Sequence, residues 1–265
     1  MNVKKLFDLS GKVVVITGAA GNLGSQYAEG LSQSGANVVI ADLDHNKCVQ
    51  IANTLKKEYG VDPMPIKLDL TKKSSVVNLF SKTVAKYSKI DVLINNAAYQ
   101  GNDAIRKTSF EELSLNDWNE ALAVNLTGIF LACQEAGKIM KKQKRGNIIN
   151  IGSTYGLVAP DQRIYGNSGQ NAAAFYAATK SAVINLTRYL ASYWANTGVR
   201  VNTLTPGGVK RNQTGSFIKN YSEKTMLGRM AEKDEYVGAI IFLASDASSY
   251  MTGSNLIIDG GWTAW

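Results

Sequence analysis

The sequence predicts an α/β fold in which a parallel sheet is covered by helices on both faces. Three observations carry this. Short apolar runs of strand length alternate with stretches of helix length from Lys12 onward, the joins between them are short, and no composition break or linker divides the 265 residues. Parallel neighbours need a crossover, usually a helix, and their strands read as continuous apolar runs because both faces are buried. One domain over residues 1–265 is therefore expected, long enough for a sizeable core.

The elements follow in order. KVVVIT (12–17) is the first strand, AGNLGSQYAEGLSQSG (20–35) a helix ending near Gly35, and NVVIAD (37–42) the second strand. HNKCVQIANTLKKEYG (45–60) has helical apolar spacing and leads to MPIKLDL (64–70), the third strand. The amphipathic stretch 74–89 precedes IDVLINNA (90–97), the fourth strand and its exit loop. Residues 115–143 have the length of one long helix, GNIINIGS (146–153) is the fifth strand, and 172–197 a second long helix. VRVNTLTPGG (199–208) is a sixth strand ending in a turn. Residues 210–225 show no strong periodicity and read as a variable or mobile segment; 235–246 is helical and NLIIDGG (255–261) supplies a last strand.

Composition narrows the class. One histidine, His45, argues against a multi-histidine metal centre, and no metal is expected. Cys48 and Cys133 lie far apart on predicted helices, which suits free thiols in a reducing compartment. The start, MNVKKLFDLSGK, lacks the apolar core of a signal peptide, and runs such as VVVI are too short to cross a bilayer. A cytoplasmic protein without membrane contact is expected. The formal charge is +8, from 29 basic and 21 acidic residues, but the lysines are scattered. That pattern reads first as solvated surface and second as attraction for an anionic substrate. A nucleic-acid face would need a basic stripe with aromatic platforms.

Two constellations carry chemistry. TGAAGNLG (17–24) joins the first strand to the first long helix; glycines there allow close backbone approach to a pyrophosphate, and the helix N-terminus supplies positive potential. Asp42 ends the second strand, where a carboxylate accepts from an adenosine ribose and repels a 2′-phosphate. With no Arg or Lys inside the turn, NAD fits better than NADP. A structural glycine turn, and a helix-capping or exposed Asp42, remain the plain alternatives. Tyr176 and Lys180, four residues apart, share one helix face. Lowering a phenol by ~3 pKa units asks for roughly 4 kcal/mol from its surroundings. Such pairs are common on solvated helices, Ser153 alone reads as a strand-end cap, and Asn125 alone as a backbone satisfier.

Together these residues resemble the short-chain dehydrogenase/reductase superfamily over essentially the whole chain. The landmarks are TGAAGNLG, Asp69-Leu70, NNAA (95–98), Asn125, Ser153, YAATK (176–180), the Pro206-Gly207 turn and FLASDASSYMTGSNLIIDGG. The resemblance implies a Rossmann-like doubly wound fold with a seven-stranded parallel sheet, a homodimer or homotetramer, and an NAD(H) cofactor. It implies that Gly18, Asn22, Leu23 and Gly24 line the pyrophosphate turn, that Asp42 and Leu43 meet the ribose, and that Asp69 and Leu70 flank adenine. Asn95, Ala97 and Ala98 would border the cofactor channel, with Pro206, Gly207 and Val209 near the nicotinamide. Tyr176 would exchange a proton with an alcohol or ketone substrate as hydride moves to or from nicotinamide. Lys180 would hold the nicotinamide ribose, Ser153 the substrate oxygen, and Asn125 a water and proton path to Lys180.

The departures are informative. The family's middle turn glycine is Asn22, which tolerates turn conformations, its NNAG is NNAA, and Arg211 stands where a threonine is common. Ser153 and Tyr176 are 23 residues apart where about a dozen is usual for the family, so 154–175 contains an insertion. Its Asp161, Gln162, Arg163, Tyr165, Asn167, Ser168 and Gln170 suit a polyhydroxylated or charged substrate, or a solvated loop. The insertion and the GGWTAW tail resemble members associated with bacterial surface-sugar or flagellin modification. That implies an NAD-dependent oxidoreductase interconverting a secondary alcohol and a ketone on a sugar derivative. A carbonyl reductase for acyl, lipid or small-metabolite substrates, and a non-catalytic nucleotide-bound structural or regulatory protein, are the alternatives.

Overall fold

The computed structural model describes residues 2–265. Seven parallel strands form one sheet: β1 (Val13–Thr17), β2 (Asn37–Asp42), β3 (Met64–Lys67), β4 (Val92–Asn95), β5 (Gly146–Ile151), β6 (Val199–Pro206) and β7 (Asn255–Ile258). Their spatial order is β3-β2-β1-β4-β5-β6-β7, all parallel, which is the Rossmann-like arrangement. The order reverses between β1 and β4, and the crevice beyond the carboxyl ends of those strands is where such sheets bind ligands.

Strand alternation divides the core. Val14 and Ile16 of β1 join Val38 and Ile40 of β2 on one face, while Val13, Val15, Val39 and Ala41 point to the other. The first face is covered by α2 (Asn22–Gln33), α3 (His45–Tyr59) and α9 (Val237–Ala244), through Tyr27, Leu31, Leu55 and Ile240. The second is covered by α4 (Lys73–Tyr87), α6 (Gly128–Gln143) and α7 (Ala174–Tyr193), through Leu79, Phe80, Ile129 and Val183. Asp44 caps α3 by accepting from Lys47 N at 3.0 Å, and Gly60 ends it in the left-handed region. Cys48 and Cys133 are free and buried on α3 and α6.

A polar row crosses this apolar sheet. Asn95, Asn150 and Thr203 are register partners on β4, β5 and β6. Asn95 Nδ2 donates to Asn150 Oδ1 at 2.8 Å, Asn150 Nδ2 to Thr187 Oγ1 at 2.9 Å, and Thr203 Oγ1 to Thr187 Oγ1 at 2.8 Å.

Two expectations are corrected and one element is added. Residues 115–143 are not one regular helix: α5 (Leu115–Leu122) passes through a π turn, Ala123–Thr127, into α6. The turn carries the buried Asn125, whose side chain bonds the backbone of Tyr99, and α6 restarts at Gly128, where a Cβ would meet Leu70 Cβ at 2.8 Å. Such π bulges cluster at functional sites. The segment 210–225 contains α8 (Gly215–Ser222), with Thr214 Oγ1 accepting from Phe217 N. Its Phe217, Ile218 and Tyr221 pack on Tyr165 and Trp262, partners remote in sequence that local periodicity does not reveal. A short α1 (Val3–Leu6) precedes the sheet and had no sequence signal.

Candidate active site

The glycine turn after β1 is built by steric exclusion. Gly18 has φ +66°, and a Cβ on it would meet Ala97 Cα at 2.6 Å; a Cβ on Gly24 would collide with Gly18 O. Asn96 Nδ2 donates to Thr17 O at 3.1 Å and Gly18 O at 2.9 Å, and Thr17 Oγ1 accepts from Asn96 N and Ala97 N. The loops after β1 and β4 are thereby pinned together. Helix α2 starts directly behind the turn with Gly21 as its cap residue and no side-chain cap. Asn22 Nδ2 is buried there without a partner. A bare cradle, uncapped helix N–H groups and a spare amide donor suit the pyrophosphate of a dinucleotide. Leu23 is half-buried on the first turn of α2.

Asp42 faces this turn: Oδ2 accepts from Ala20 N at 3.0 Å and Oδ1 from Asp44 N at 3.2 Å. The helix cap is Asp44, so Asp42 is free of that duty. Leu43 beside it is exposed. Asp69 accepts from Thr71 N and Oγ1 and from Lys72; these donors, Thr71 foremost, hold its carboxyl below the usual range. Leu70 is buried against Gly128. Ala97 touches Gly18 and Ala98 is exposed beyond it. Asn95 turns its side chain into the core, onto Asn150 and Cys133; its neighbour Asn96 reaches the turn. Pro206 ends β6, Gly207 N donates to Ile258 O, and Val209 bridges to Ala231.

The second cluster lies beyond β5. Ser153 caps a 3-10 turn, Thr154–Gly156, with Oγ accepting from Tyr155 N at 3.2 Å. Across from it, α7 begins one residue before Phe175 and presents Tyr176 and Lys180. Lys180 is buried, its Nζ donating to Ile151 O at 2.6 Å and standing 5.7 Å from the Tyr176 ring centroid. Burial pulls Lys180 down to about 8. Tyr176 is raised above the ordinary phenol value, because burial outweighs the favourable Gln100 and Ser153 side chains and the Arg211 charge. Desolvation is the larger effect on Tyr176 in this structure. Asn125 is occupied: Oδ1 accepts from Tyr99 N at 2.6 Å, and Nδ2 donates to Tyr99 O at 2.9 Å and to Thr179 Oγ1 at 3.4 Å. Through Thr179 it reaches the residue just before Lys180 on α7.

The insertion spends most of its polar groups on itself. Asp161 is held by Arg163 and Lys224, Gln162 bonds both N–H and C=O of Ala172, and Ser168 bonds Tyr165 O and Gln170 N. What it offers the site is aromatic. Tyr155 meets Tyr176 edge-on, with centroids 6.5 Å apart, and Tyr165 packs on Phe217 at 5.3 Å. Phe217 continues to Tyr221, which stacks on Trp262 at 4.3 Å. Tyr221 OH accepts from Gly208 N, a close approach that a Cβ on Gly208 would block. Trp262 is buried, whereas Trp265 is exposed and donates to Lys224 O. Gln100, Tyr155 and Arg106 had no sequence signal, and the NNAA motif did not single out Asn96.

Comparison with known proteins agrees with this geometry. The family model described as enoyl-(acyl carrier protein) reductase matches residues 18–263. The chain is 33% identical over 254 residues to post-translational flagellin modification protein A of Campylobacter coli, covering 96% of this chain and 99% of the relative. It is 34% identical to D-threitol dehydrogenase of Mycolicibacterium smegmatis, covering 97% and 95%. A solved gluconate 5-dehydrogenase from Burkholderia cenocepacia, in complex with NADP and tartrate, superposes with a TM-score of 0.89 at 31% identity over the full length of both chains. No described helix is long and apolar enough to cross a membrane. With the sheet order, the glycine turn and the Ser153–Tyr176–Lys180 cluster already in hand, these matches show that the chain belongs to the short-chain dehydrogenase/reductase superfamily, a family of oxidoreductases.

Proposed function

We propose that the protein is an NAD-dependent oxidoreductase that interconverts a secondary alcohol and a ketone on a sugar derivative or related polyol. One observation carries the reading: a buried lysine and a partly exposed tyrosine on α7 stand beside Ser153, next to a backbone cradle fit for a dinucleotide. The bound nicotinamide would supply the hydride chemistry. The chain would supply the proton and the positioning. Ser153 would hold the substrate oxygen while Tyr176 gives it a proton or takes one, both hydroxyls lying within reach of a single oxygen. Lys180 would hold the nicotinamide ribose and bias Tyr176 toward phenolate, and Asn125 would hold the wall of the proton path. Gly18, Asn22, Leu23 and Gly24 would carry the pyrophosphate, and Asp42 and Leu43 the adenosine ribose.

The NAD preference rests on Asp42, which stands against the turn with no cation inside it. The gluconate 5-dehydrogenase relative holds NADP, so the preference needs its own test. The polyol class is supported by the threitol dehydrogenase and gluconate 5-dehydrogenase relatives. A single catalytic domain over residues 1–265, assembled in the cytoplasm as a homodimer or homotetramer, completes the reading.

The test is a pool of alcohols, ketones and sugar derivatives incubated with NAD or NADP, read by cofactor absorbance and substrate mass. Turnover of a polyol with NAD is expected. Tyr176→Phe should lower that turnover about 10³-fold, within the span of general acid–base effects, with NADH affinity changed by less than about threefold. Unchanged turnover would remove Tyr176 from the proton step, and a strong NADP preference would overturn the reading of Asp42.

A further inference from the structure

Two guanidinium groups border this site without an acidic partner. Among the described residues, Arg145, Arg163 and Arg229 form ion pairs with Asp246, Asp161 and Glu235, whereas Arg106, Arg188, Arg200 and Arg211 form none; of these four, Arg106 and Arg211 lie on connections beside the site. Arg106 lies in a 3-10 turn, Ile105–Lys107, in the connection after β4. That turn is fixed from both sides. Ile105 is buried with Phe175 and Tyr176, Arg106 O accepts from Asn171 N at 2.7 Å, and Asn171 Nδ2 donates to Thr108 O at 2.8 Å. The half-buried Arg106 has a charge that favours the ionised form of Tyr165, in the aromatic wall that includes Tyr155, Phe217, Tyr221 and Trp262.

Arg211 comes from the connection after β6. Its turn is closed by Lys210 N donating to Ala231 O at 2.8 Å, Gln213 Nε2 donating to Val209 O at 2.9 Å, and Arg211 N donating to Gln213 Oε1. The connection is tied to the aromatic wall by Gly208 N donating to Tyr221 OH, and the exposed Arg211, three residues further on, has a charge that favours the ionised form of Tyr176. The one acid of the insertion, Asp161, is already held by Arg163 and Lys224. Glu120 and Asp117, the acids that bear on Tyr99, pair with neither arginine. A guanidinium is always charged at physiological pH, and its fork matches the two oxygens of a carboxylate or phosphate. Beside a wall of aromatic rings its field is less screened than in open water.

We infer that the alcohol or ketone taken by this site carries an oxyanion, a carboxylate or a phosphate, and that Arg106 and Arg211 are the specificity-determining residues that grip it. The inference rests on the proposed function in that it assigns the substrate class of the same site. It requires the counter-charge missing from the protein to arrive with the ligand.

The full-length protein loaded with NADH is titrated calorimetrically with tartrate, with inorganic phosphate, and with threitol, the neutral tetrol on the same four carbons as tartrate. The titrations are repeated without NADH, so that the clamp is read even if the cofactor assignment fails. At least one anion should bind tenfold or more tighter than threitol, tartrate marking a carboxylate clamp and phosphate a phosphate clamp. Arg106→Gln and Arg211→Gln should each weaken that anion by about 10- to 100-fold, as expected for a lost charge-assisted contact, with NADH affinity within about twofold. Arg106→Lys should recover part of the loss, because it keeps the charge without the fork. Equal binding of threitol and both anions, or full anion affinity in both glutamine variants, would overturn the inference. So would loss of NADH affinity in Arg211→Gln with anion binding intact, which would assign that arginine to the cofactor. Absence of NADH binding in the wild type would instead count against the proposed function.

Discussion

The two ends of the crevice are built from different materials. At the β1–β2 end the surface is backbone: Gly18, Gly21 and Gly24 clear space, and Asn96 and Thr17 hold the loop by bonds to main-chain atoms. At the β5–β6 end the surface is side chain: Ser153, Tyr155, Tyr165, Tyr176, Tyr221 and Trp262 project from five separate stretches of sequence. A backbone surface recognises what is constant, such as a pyrophosphate, and tolerates almost no added atoms. A side-chain surface can be re-tailored residue by residue, which is how one fold serves many substrates.

That contrast can be broken by substitution. The largest effect is expected for Gly18→Ala, which adds a methyl where φ is +66° and Ala97 Cα would stand 2.6 Å away. A loss of about 3 kcal/mol in denaturant unfolding is expected from the strained φ and the clash, with at least tenfold weaker NADH binding. Wild-type stability and NADH affinity in this variant would show that the cradle is not sterically built.

Lys180→Met comes next and has the opposite sign. Lys180 is held at about 8 against 10.5 for a free lysine, so between those values the unfolded chain binds more protons than the folded one. Wild-type stability therefore rises with pH from about 8 to about 10.5, and below pH 8 the cost of the buried charge is fully present. The variant should be more stable than wild type at pH 7 by roughly 2 kcal/mol, after allowing for the bond lost at Ile151 O, and the gain should vanish near pH 10.5. Parallel pH–stability curves for the two proteins would refute it. The smallest effect is expected for Tyr221→Phe, which removes the acceptor for Gly208 N but keeps the ring on Trp262. About 1 kcal/mol should be lost, and KM for the active substrate should rise with NADH affinity unchanged. A change in NADH affinity larger than the change in KM would erase the division between the two ends.

The same division explains what could be read in advance. Apolar runs and helical spacing give every strand and the main helices, because parallel strands buried on both faces leave an unbroken apolar signature. The glycine turn and the Tyr176–Lys180 spacing are local patterns, so the residues that frame the crevice were legible. Asn95 and Asn96 show the limit. Neighbours at a strand end point to opposite sides, and the shared motif does not say which of them meets the turn. Arg106 and Gln100 sit in a loop without period, and their approach to Tyr165 and Tyr176 depends on contacts across some 60 residues or more. The insertion looked like a polar recognition loop, but its polar groups fold it and its tyrosines face the site.

The row of Asn95, Asn150, Thr187 and Thr203 has a consequence for how the sheet finds its alignment. Strands that are apolar on both sides pack almost as well after sliding by two residues, since the same faces stay covered. Sliding β5 by two against its neighbours would put Ile148 or Gly152 where Asn150 stands, and would part the amides of Asn95 and Asn150 from their partners in a dry interior, while Thr187 and Thr203 keep each other. Each orphaned group costs about 1–3 kcal/mol, so the misaligned sheet is penalised at both amides. The row thus acts as a key that admits one alignment, and with it sets Ser153, three residues beyond Asn150, at the height where Tyr176 can meet it.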